Sequence, residues 1–253
     1  MRNQYHHIKI KKIINHNENL KSFVFDYCFD FIAGQFVMVW LPGIDEKPIS
    51  LSSDNMITVK KLGVFTQGLF KKKEGDYLDI RGPYGNGFPD SKSCILIGGG
   101  CGIAPLLNLV FKKNSKVSTF IMGGRTKSDF IFLDKLKKSV KNIIIATQDG
   151  SCGIKGLITD VNIPKTKKNY YICGPEIMMK AVAEKLINLG INQEQIYLSL
   201  ERYMKCGIGI CGSCSCSGYR ICADGPIFRY DKIKNLSHFN KAGRTRTGEL
   251  KKY

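Results

Sequence analysis

The chain has 253 residues, of which 43% are hydrophobic and 24% are charged, so it can bury the core of one large domain or of two to three small ones. This composition, with 26 glycines, excludes the disordered and collagen-like classes. No run of about 18 apolar residues is present, which excludes a membrane-spanning helix. The first residues contain no apolar segment typical of a secretory signal, and we therefore expect a cytoplasmic protein that binds no membrane.

The formal net charge of +18 comes from 39 Lys and Arg against 21 Asp and Glu. A protein this basic attracts polyanions such as nucleic acid, phosphate-rich cofactors or an acidic partner protein. The lysines are spread along the chain rather than clustered, which is also typical of a solvated surface that binds no ligand. The charge alone leaves both interpretations open.

The first ninety residues contain short segments rich in β-branched and aromatic residues, separated by turn residues. This pattern predicts strands at residues 6–14, 21–27, 35–41, 56–60 and 77–81. Short strands at this spacing favour a small antiparallel barrel or sandwich.

The pattern changes near residue 92, where apolar segments begin to alternate with helical ones. We predict strands at residues 93–97, 116–122, 143–147, 170–173 and 195–200, and helices at 103–111, 130–138 and 176–189. Such alternation predicts a parallel sheet with helices on both faces. The fold class is therefore α/β plus all-β, with units at residues 1–91, 92–200 and 201–253; the last ends in a basic tail whose order the sequence does not decide.

Five of the ten cysteines lie between positions 206 and 222. Cys206, Cys211 and Cys214 have the spacing C-x4-C-x2-C, and seven residues separate Cys214 from Cys222. This is the plant-type [2Fe–2S] spacing, with three thiolates on one loop and a fourth further on. Structural zinc is usually bound by two pairs of cysteines that lie far apart in the sequence, a spacing that fits this segment less well. A zinc site stays an alternative. Cys216 is a fifth thiol in this segment. The simpler interpretation is that it does not bind the metal, but its presence leaves the ligand set open.

Glycines in the cysteine loop suit the same chemistry. A cluster requires a loop that wraps tightly and turns its N–H groups toward the sulfur atoms. Gly207, Gly209 and Gly212 permit the backbone angles and the close approach that this requires.

A second glycine-rich segment, residues 98–102, joins an apolar run to a predicted helix. A pyrophosphate can bind at such a helix N-terminus. The G-x-G-x-x-G pattern is not met, since Ile103 occupies its third glycine position, and no acidic residue marks a ribose about 20 residues on. The turn is therefore either a dinucleotide site or a close-packed connection, and the sequence leaves both open. Cys173, which precedes Gly174 and Pro175, either faces a nicotinamide or is a buried residue at the end of a strand.

The order of five motifs carries more information than any one of them. K-P-I-S at 47–50 is followed by G-P-Y-G-N-G-F at 82–88, G-G-G-C-G-I-A-P at 98–105, C-G-P at 173–175 and the cysteine loop, which ends in C-A-D-G-P at 222–226. With this order the sequence resembles the ferredoxin–NADP reductase-like flavoproteins over its whole length. Residues 201–228 give it a closer resemblance to the electron transfer subunits of dihydroorotate dehydrogenase B.

The resemblance implies an FAD-binding barrel, an NAD-binding domain and a C-terminal [2Fe–2S] module. It places FAD against Lys47, Pro48, Ile49, Ser50, Thr58, Val59, Lys60, Phe65 and Thr66. It places NAD against Gly99, Gly100, Gly102, Cys173, Gly174 and Pro175. It makes Cys206, Cys211, Cys214 and Cys222 the cluster ligands.

Two features depart from the family pattern. Lys47 stands where the family usually has Arg, which keeps the charge but loses the bidentate fork for phosphate. The spacer before Cys222 is shorter than in many relatives, which predicts a tight loop. The sequence does not decide between NAD and NADP, because Arg125 can meet a 2′-phosphate or simply solvent.

The function implied by the resemblance is electron transfer in de novo pyrimidine biosynthesis. Electrons would pass from the FMN of a catalytic partner subunit, which oxidises dihydroorotate, through [2Fe–2S] and FAD to NAD⁺. The assembly would be a heterotetramer of two copies of each subunit, and we find no catalytic acid–base pair for dihydroorotate on this chain. Alternatives are the reductase subunit of a hydrogenase, sulfite reductase or ferredoxin–NADP transhydrogenase, and, from a different class, a zinc-stapled basic nucleic-acid-binding protein.

Overall fold

The computed structural model describes residues 4–112, 115–245 and 247–252. The outermost residues of the predicted first and third units therefore lie outside the described residues. Strands in the first part of the chain are β1 (His6–Asn17), β2 (Leu20–Phe25), β3 (Phe36–Leu41), β4 (Asp45–Ser53), β5 (Met56–Lys60) and β6 (Tyr77–Tyr84). They form a closed antiparallel barrel in the order β1-β2-β5-β4-β3-β6, with helix α1 (Val64–Phe70) between β5 and β6.

Alternation of side chains fills the interior of this barrel. Phe23, Val39, Leu51, Ile57 and Ile80 point inward and are fully buried. The strand β4 was not among those that the sequence predicts. Its sequence, with Asp, Glu, Lys and Pro, has a low strand propensity, and pairing with β3 and β5 stabilises it.

The second part of the chain forms a parallel sheet with helices on both faces. Its strands are β7 (Cys94–Gly99), β8 (Val117–Gly124), β9 (Asn142–Thr147), β10 (Ile154–Lys155), β11 (Asn169–Cys173) and β12 (Ile196–Ser199). Its helices are α2 (Leu107–Phe111), α3 (Leu133–Ser139) and α4 (Glu176–Asn188). These six strands lie in the order β10-β9-β8-β7-β11-β12 and are all parallel, which confirms the predicted parallel sheet; the two-residue β10 was not predicted.

Alternate residues of β7 divide the hydrophobic core into two layers. Ile95 and Ile97 pack in the layer that contains α4, whereas Cys94 and Leu96 pack in the layer that contains α2 and α3. The helix predicted at 103–111 is only partly α-helical: residues Gly100–Leu106 form a 3₁₀ helix before α2. Pro105 lies inside this segment and cannot donate a backbone hydrogen bond.

The C-terminal part of the chain adds small elements, and among the described residues only one of them, a strand, joins the large sheet. They are β13 (Ser215–Cys216), β14 (Tyr219–Arg220), α5 (Ile221–Asp224), β15 (Ile227–Arg229), α6 (Tyr230–Ile233), β16 (Ala242–Arg244) and β17 (Leu250–Lys252). Strand β15 pairs antiparallel with β12 and so extends the sheet. The tail packs back on this domain, because Phe239 is buried and the N–H of Asn240 donates to Glu176 Oε2 at 2.8 Å.

No helix in the described part of the chain is both long and apolar enough to cross a membrane.

Candidate functional site

A cavity of about 650 Å³ lies where the barrel meets the sheet domain. Its walls come from β4, β5, the start of α1, the 3₁₀ segment and the residues after β12. All nine residues that the resemblance assigns to FAD line it: Lys47, Pro48, Ile49, Ser50, Thr58, Val59, Lys60, Phe65 and Thr66. The volume and the largely apolar walls with few polar groups are typical of a cofactor site.

Lys47 is a cation of this cavity whose ammonium group is held by neighbouring side chains. Its Nζ lies 2.8 Å from Asp45 Oδ2 and 4.3 Å from the ring centre of Tyr203. An ammonium held in this way offers a point charge for a phosphate, which fits the diphosphate of FAD. The cavity therefore fits the flavin that the resemblance implies, with lysine in the place of the usual arginine.

Two other residues of the assigned set are engaged locally. The Thr66 hydroxyl accepts the N–H groups of Leu62 and Gly63 at 2.8 and 3.0 Å, so it caps α1. The Thr58 hydroxyl accepts a hydrogen bond from Ser52 at 2.9 Å and pairs with Ser22 at 2.8 Å. These side chains therefore hold the cavity wall in place.

A second cavity, of about 980 Å³, opens at the carboxyl ends of the parallel strands. Gly99, Gly100, Gly102, Gly174 and Pro175, all assigned to NAD, line it. Cys173 does not, because its side chain is buried with 1% exposure. Carboxyl ends of strands are the usual position of dinucleotides in open parallel sheets.

The glycines of this cavity also allow two turns to pack closely. A Cβ atom on Gly102 would lie 2.3 Å from the carbonyl oxygen of Cys173, and one on Gly99 would lie 2.2 Å from Met178 Sδ. The turn after β7 thus rests directly on the turn after β11. Close packing and dinucleotide binding, which the sequence leaves open as alternatives, are compatible here because the same turns line the cavity.

Sequence reasoning missed the residues at the junction of the two cavities. Cys101 and Glu201 line both, together with the predicted Lys60. Protein packed around Cys101 raises the pKa of its thiol to about 11, although the residue is exposed to the cavity, and desolvation together with the nearby Glu176 raises the pKa of Glu201. The Glu201 side chain is accessible from the cavity although protein surrounds it on most sides. Its place two residues after the carboxyl end of β12 is the signal that could have identified it.

The four predicted cluster ligands come together in two pairs. Cys222 Sγ lies 3.3 Å from Cys214 Sγ, and the N–H of Cys211 donates to Cys206 Sγ at 3.5 Å. The hydrogen bond between the Cys214 and Cys222 thiols lowers the pKa of Cys214 to about 6, although burial opposes it. Within the described ranges no three His, Cys, Asp or Glu side chains are placed to share one metal ion. A pair of thiolates for each of two irons is what a [2Fe–2S] cluster requires.

The backbone of the cysteine loop has the predicted geometry. Gly207, Gly209 and Gly212 have φ angles of +74°, +83° and +71°, in the left-handed region that glycine favours. The N–H of Gly209 donates to Cys222 Sγ at 3.1 Å, so backbone donors do point at sulfur. Loop and thiols therefore fit an iron–sulfur cluster.

A tight hairpin explains the short spacer before Cys222. Strands β13 and β14 pair through Cys216 and Tyr219, with Ser217 and Gly218 both at positive φ in the turn. Cys216 is fully buried and accepts a hydrogen bond from Arg202 Nη2 at 3.2 Å. Its nearest polar partner is thus an arginine, in line with a bystander thiol.

Comparisons with known proteins agree with this geometry. Residues 201–234 match the model of the iron–sulfur cluster binding domain of dihydroorotate dehydrogenase B, and residues 96–184 match that of the oxidoreductase NAD-binding domain. The chain is 47% identical over 238 residues to the probable dihydroorotate dehydrogenase B (NAD⁺) electron transfer subunit of Pyrococcus horikoshii, covering 92% of this chain and 93% of that protein. The corresponding protein of Methanocaldococcus jannaschii is 43% identical, covering 95% and 96%.

A solved structure extends the similarity to the whole fold. It is that of the NADH-dependent reduced ferredoxin–NADP oxidoreductase, a flavin-based electron-bifurcating enzyme, with a TM-score of 0.79, 29% identity and 88% of each chain covered. These findings confirm the predicted fold class and do not favour either alternative function. The chain belongs to the family of dihydroorotate dehydrogenase B (NAD⁺) electron transfer subunits.

Proposed function

We propose that this chain is the electron transfer subunit of a dihydroorotate dehydrogenase B, which passes electrons from the FMN of a catalytic partner to NAD⁺ in pyrimidine biosynthesis. When bound, the [2Fe–2S] cluster supplies one-electron transfer, and FAD supplies the exchange between single electrons and the hydride that NAD⁺ accepts. The family membership supports the partner and the substrate that it oxidises.

One observation carries the proposal: a single segment, residues 201–206, contacts all three sites. Glu201 lines both cavities, Tyr203 and Met204 line the barrel cavity, and Cys206 is the first cysteine of the loop. Five residue steps span at most about 18 Å, so the three sites are neighbours. This is the arrangement that a relay between them requires.

Residues of this chain hold and orient the groups that take part. Lys47 would bind the FAD diphosphate while Asp45 and Tyr203 hold its ammonium group in place. The turns at Gly99 and Gly174 would admit the pyrophosphate of NAD without side-chain obstruction. Cys206, Cys211, Cys214 and Cys222 would hold the cluster.

The assembly is part of the same proposal. We propose a heterotetramer with two copies of each subunit, which the family resemblance supports. A cytoplasmic location agrees with ten cysteines, all among the described residues, of which none forms a disulfide, since thiols persist in a reducing compartment.

The test uses the chain expressed together with the dihydroorotate dehydrogenase catalytic subunit from the same genome. Dihydroorotate and NAD⁺ are mixed anaerobically with the purified complex, and NADH formation is followed by absorbance. We expect NADH to form with the complex and not with either subunit alone. Reduction of an artificial dye by the catalytic subunit, without NADH formation by the complex, would refute the proposal.

A further inference from the structure

Arg81 is a buried cation beneath the cysteine loop. It lies on β6 with 8% of its surface exposed. Its Nη1 donates to the carbonyl oxygen of Cys206 at 2.7 Å, and its Nη2 donates to that of Lys205 at 3.3 Å. One barrel side chain therefore holds the backbone of the first cluster ligand.

Glu46 completes this contact from the flavin side. Arg81 binds its carboxylate in a bidentate manner, with Nε to Oε1 at 2.6 Å and Nη2 to Oε2 at 2.8 Å. Glu46 belongs to β4 and directly precedes Lys47, which lines the barrel cavity. The planar guanidinium thus connects the strand of the flavin site to the loop of the cluster site.

Packing around the pair supports the same connection. A Cβ atom on Gly207 would lie 3.0 Å from Met38, so the loop rests on the barrel wall beside Arg81. Tyr5 also donates to Glu46 Oε1 at 2.9 Å. The side chains of Arg81 and Glu46 are only 10% and 18% exposed, so water screens their charges weakly.

We propose that Arg81 is a positioning residue that fixes Cys206 against the barrel and, balanced by Glu46, sets the reduction potential of the cluster. The inference rests on the proposed function, because it requires a cluster in this loop. Addition of an electron to a cluster is favoured by nearby positive charge and opposed by nearby negative charge. The pair is balanced, so removal of either member shifts the potential, and the two shifts have opposite signs.

The experiment compares midpoint potentials of the cluster, measured by EPR-monitored redox titration of the full chain. Arg81→Gln leaves the Glu46 carboxylate unbalanced, and we expect a more negative potential. Glu46→Gln leaves the Arg81 charge and can still accept one hydrogen bond, and we expect a more positive potential. The double variant should return close to the wild-type value. Arg81→Lys keeps the charge but loses the fork, so its potential should stay near wild type.

Lys180→Gln and Glu184→Gln are matched controls, since this pair is at least one-third exposed on α4 and should leave the potential unchanged. Shifts of one sign in both Arg81→Gln and Glu46→Gln, or shifts no larger than those of the controls, would overturn the inference. If Arg81→Gln does not fold, the inference is tested by Glu46→Gln alone, for which we expect a more positive midpoint potential. A wild-type protein that holds no cluster after anaerobic reconstitution would refute the proposed function itself, and this is seen before any variant is measured.

Discussion

The cysteine loop and the barrel cavity are built in contrasting ways. The four cysteines of the loop lie within 17 consecutive residues. The barrel cavity takes its walls from segments between Phe36 and Pro226. One site is specified locally by spacing and glycine angles, and the other by the topology that brings distant strands together. Loss of one ligand therefore abolishes binding at a local site, whereas at an assembled site many residues each contribute part of the binding free energy.

The largest expected effect is on the local site. Cys214→Ser should remove nearly all bound iron, since a hydroxyl is a poor substitute for a thiolate in such clusters. FAD content should stay near one per chain, because Cys214 does not line the barrel cavity. Iron analysis and the flavin spectrum of the purified variant measure both quantities.

Cys28→Ser is the matched control for this experiment, since Cys28 is exposed and far from the loop in sequence. Full iron retention in Cys214→Ser would contradict the ligand assignment. The double variant with Cys216→Ser would then show whether the fifth thiol had replaced Cys214.

A smaller effect is expected for the assembled site. Lys47→Ala should weaken FAD binding by about 10- to 150-fold, since a charge-assisted hydrogen bond contributes roughly 1.5–3 kcal/mol. Lys47→Arg should bind FAD at least as tightly, because arginine adds the bidentate fork. Equilibrium titration of the flavin-free protein measures these constants, with iron content as the internal control. Unchanged affinity in Lys47→Ala would show that another cation carries the phosphate.

A substitution in the glycine-rich turn after β7 should destabilise the fold. Gly102→Ala should lower the free energy of unfolding by about 1–3 kcal/mol, because its Cβ would meet the Cys173 carbonyl, which is backbone and cannot move away freely. NADH affinity should fall as well. Gly63→Ala is the control, since nothing lies within 4 Å of its Cβ position and its φ of −163° suits any residue. Equal stability of both variants in urea unfolding would contradict the close packing.

The smallest effect concerns the junction of the cavities. Burial and Glu176 raise the pKa of Glu201 in the folded state. A raised pKa means that folding is favoured below the unfolded-state pKa and loses stability as pH rises through the folded-state pKa. Glu201→Gln should therefore raise the melting temperature at pH 7, by about 2 °C or less, and leave it unchanged at pH 4. A drop at pH 7 would show that the ionised carboxylate stabilises the fold.

The sequence predicts the local features of this molecule well. Strands 35–41 and 56–60 follow from β-branched and aromatic content, and each is found within one residue of its predicted bounds. The positive φ angles of the loop glycines follow from the conformational freedom of glycine, whereas the pairing of Cys214 with Cys222 is seen only in the structure. In these segments local preference and tertiary structure agree.

Features that depend on distant partners could not be predicted. Strand β4 has polar, proline-containing sequence and forms because β3 and β5 flank it. The contact between Arg81 and Cys206 joins residues 125 positions apart, and no periodicity signals it. Glu201 and Cys101 belong to the junction of two cavities only after the barrel packs on the sheet.

The most direct test of the relay is anaerobic reduction of the wild-type chain by NADH, followed by visible and EPR spectroscopy together. We expect the flavin absorbance near 450 nm and the broad iron–sulfur absorbance to bleach, and an EPR signal of a reduced [2Fe–2S] cluster to appear. Flavin bleaching without the EPR signal would show that electrons do not pass from the barrel cavity to the cysteine loop, and would contradict the relay. A colourless protein that contains zinc would contradict the account as a whole.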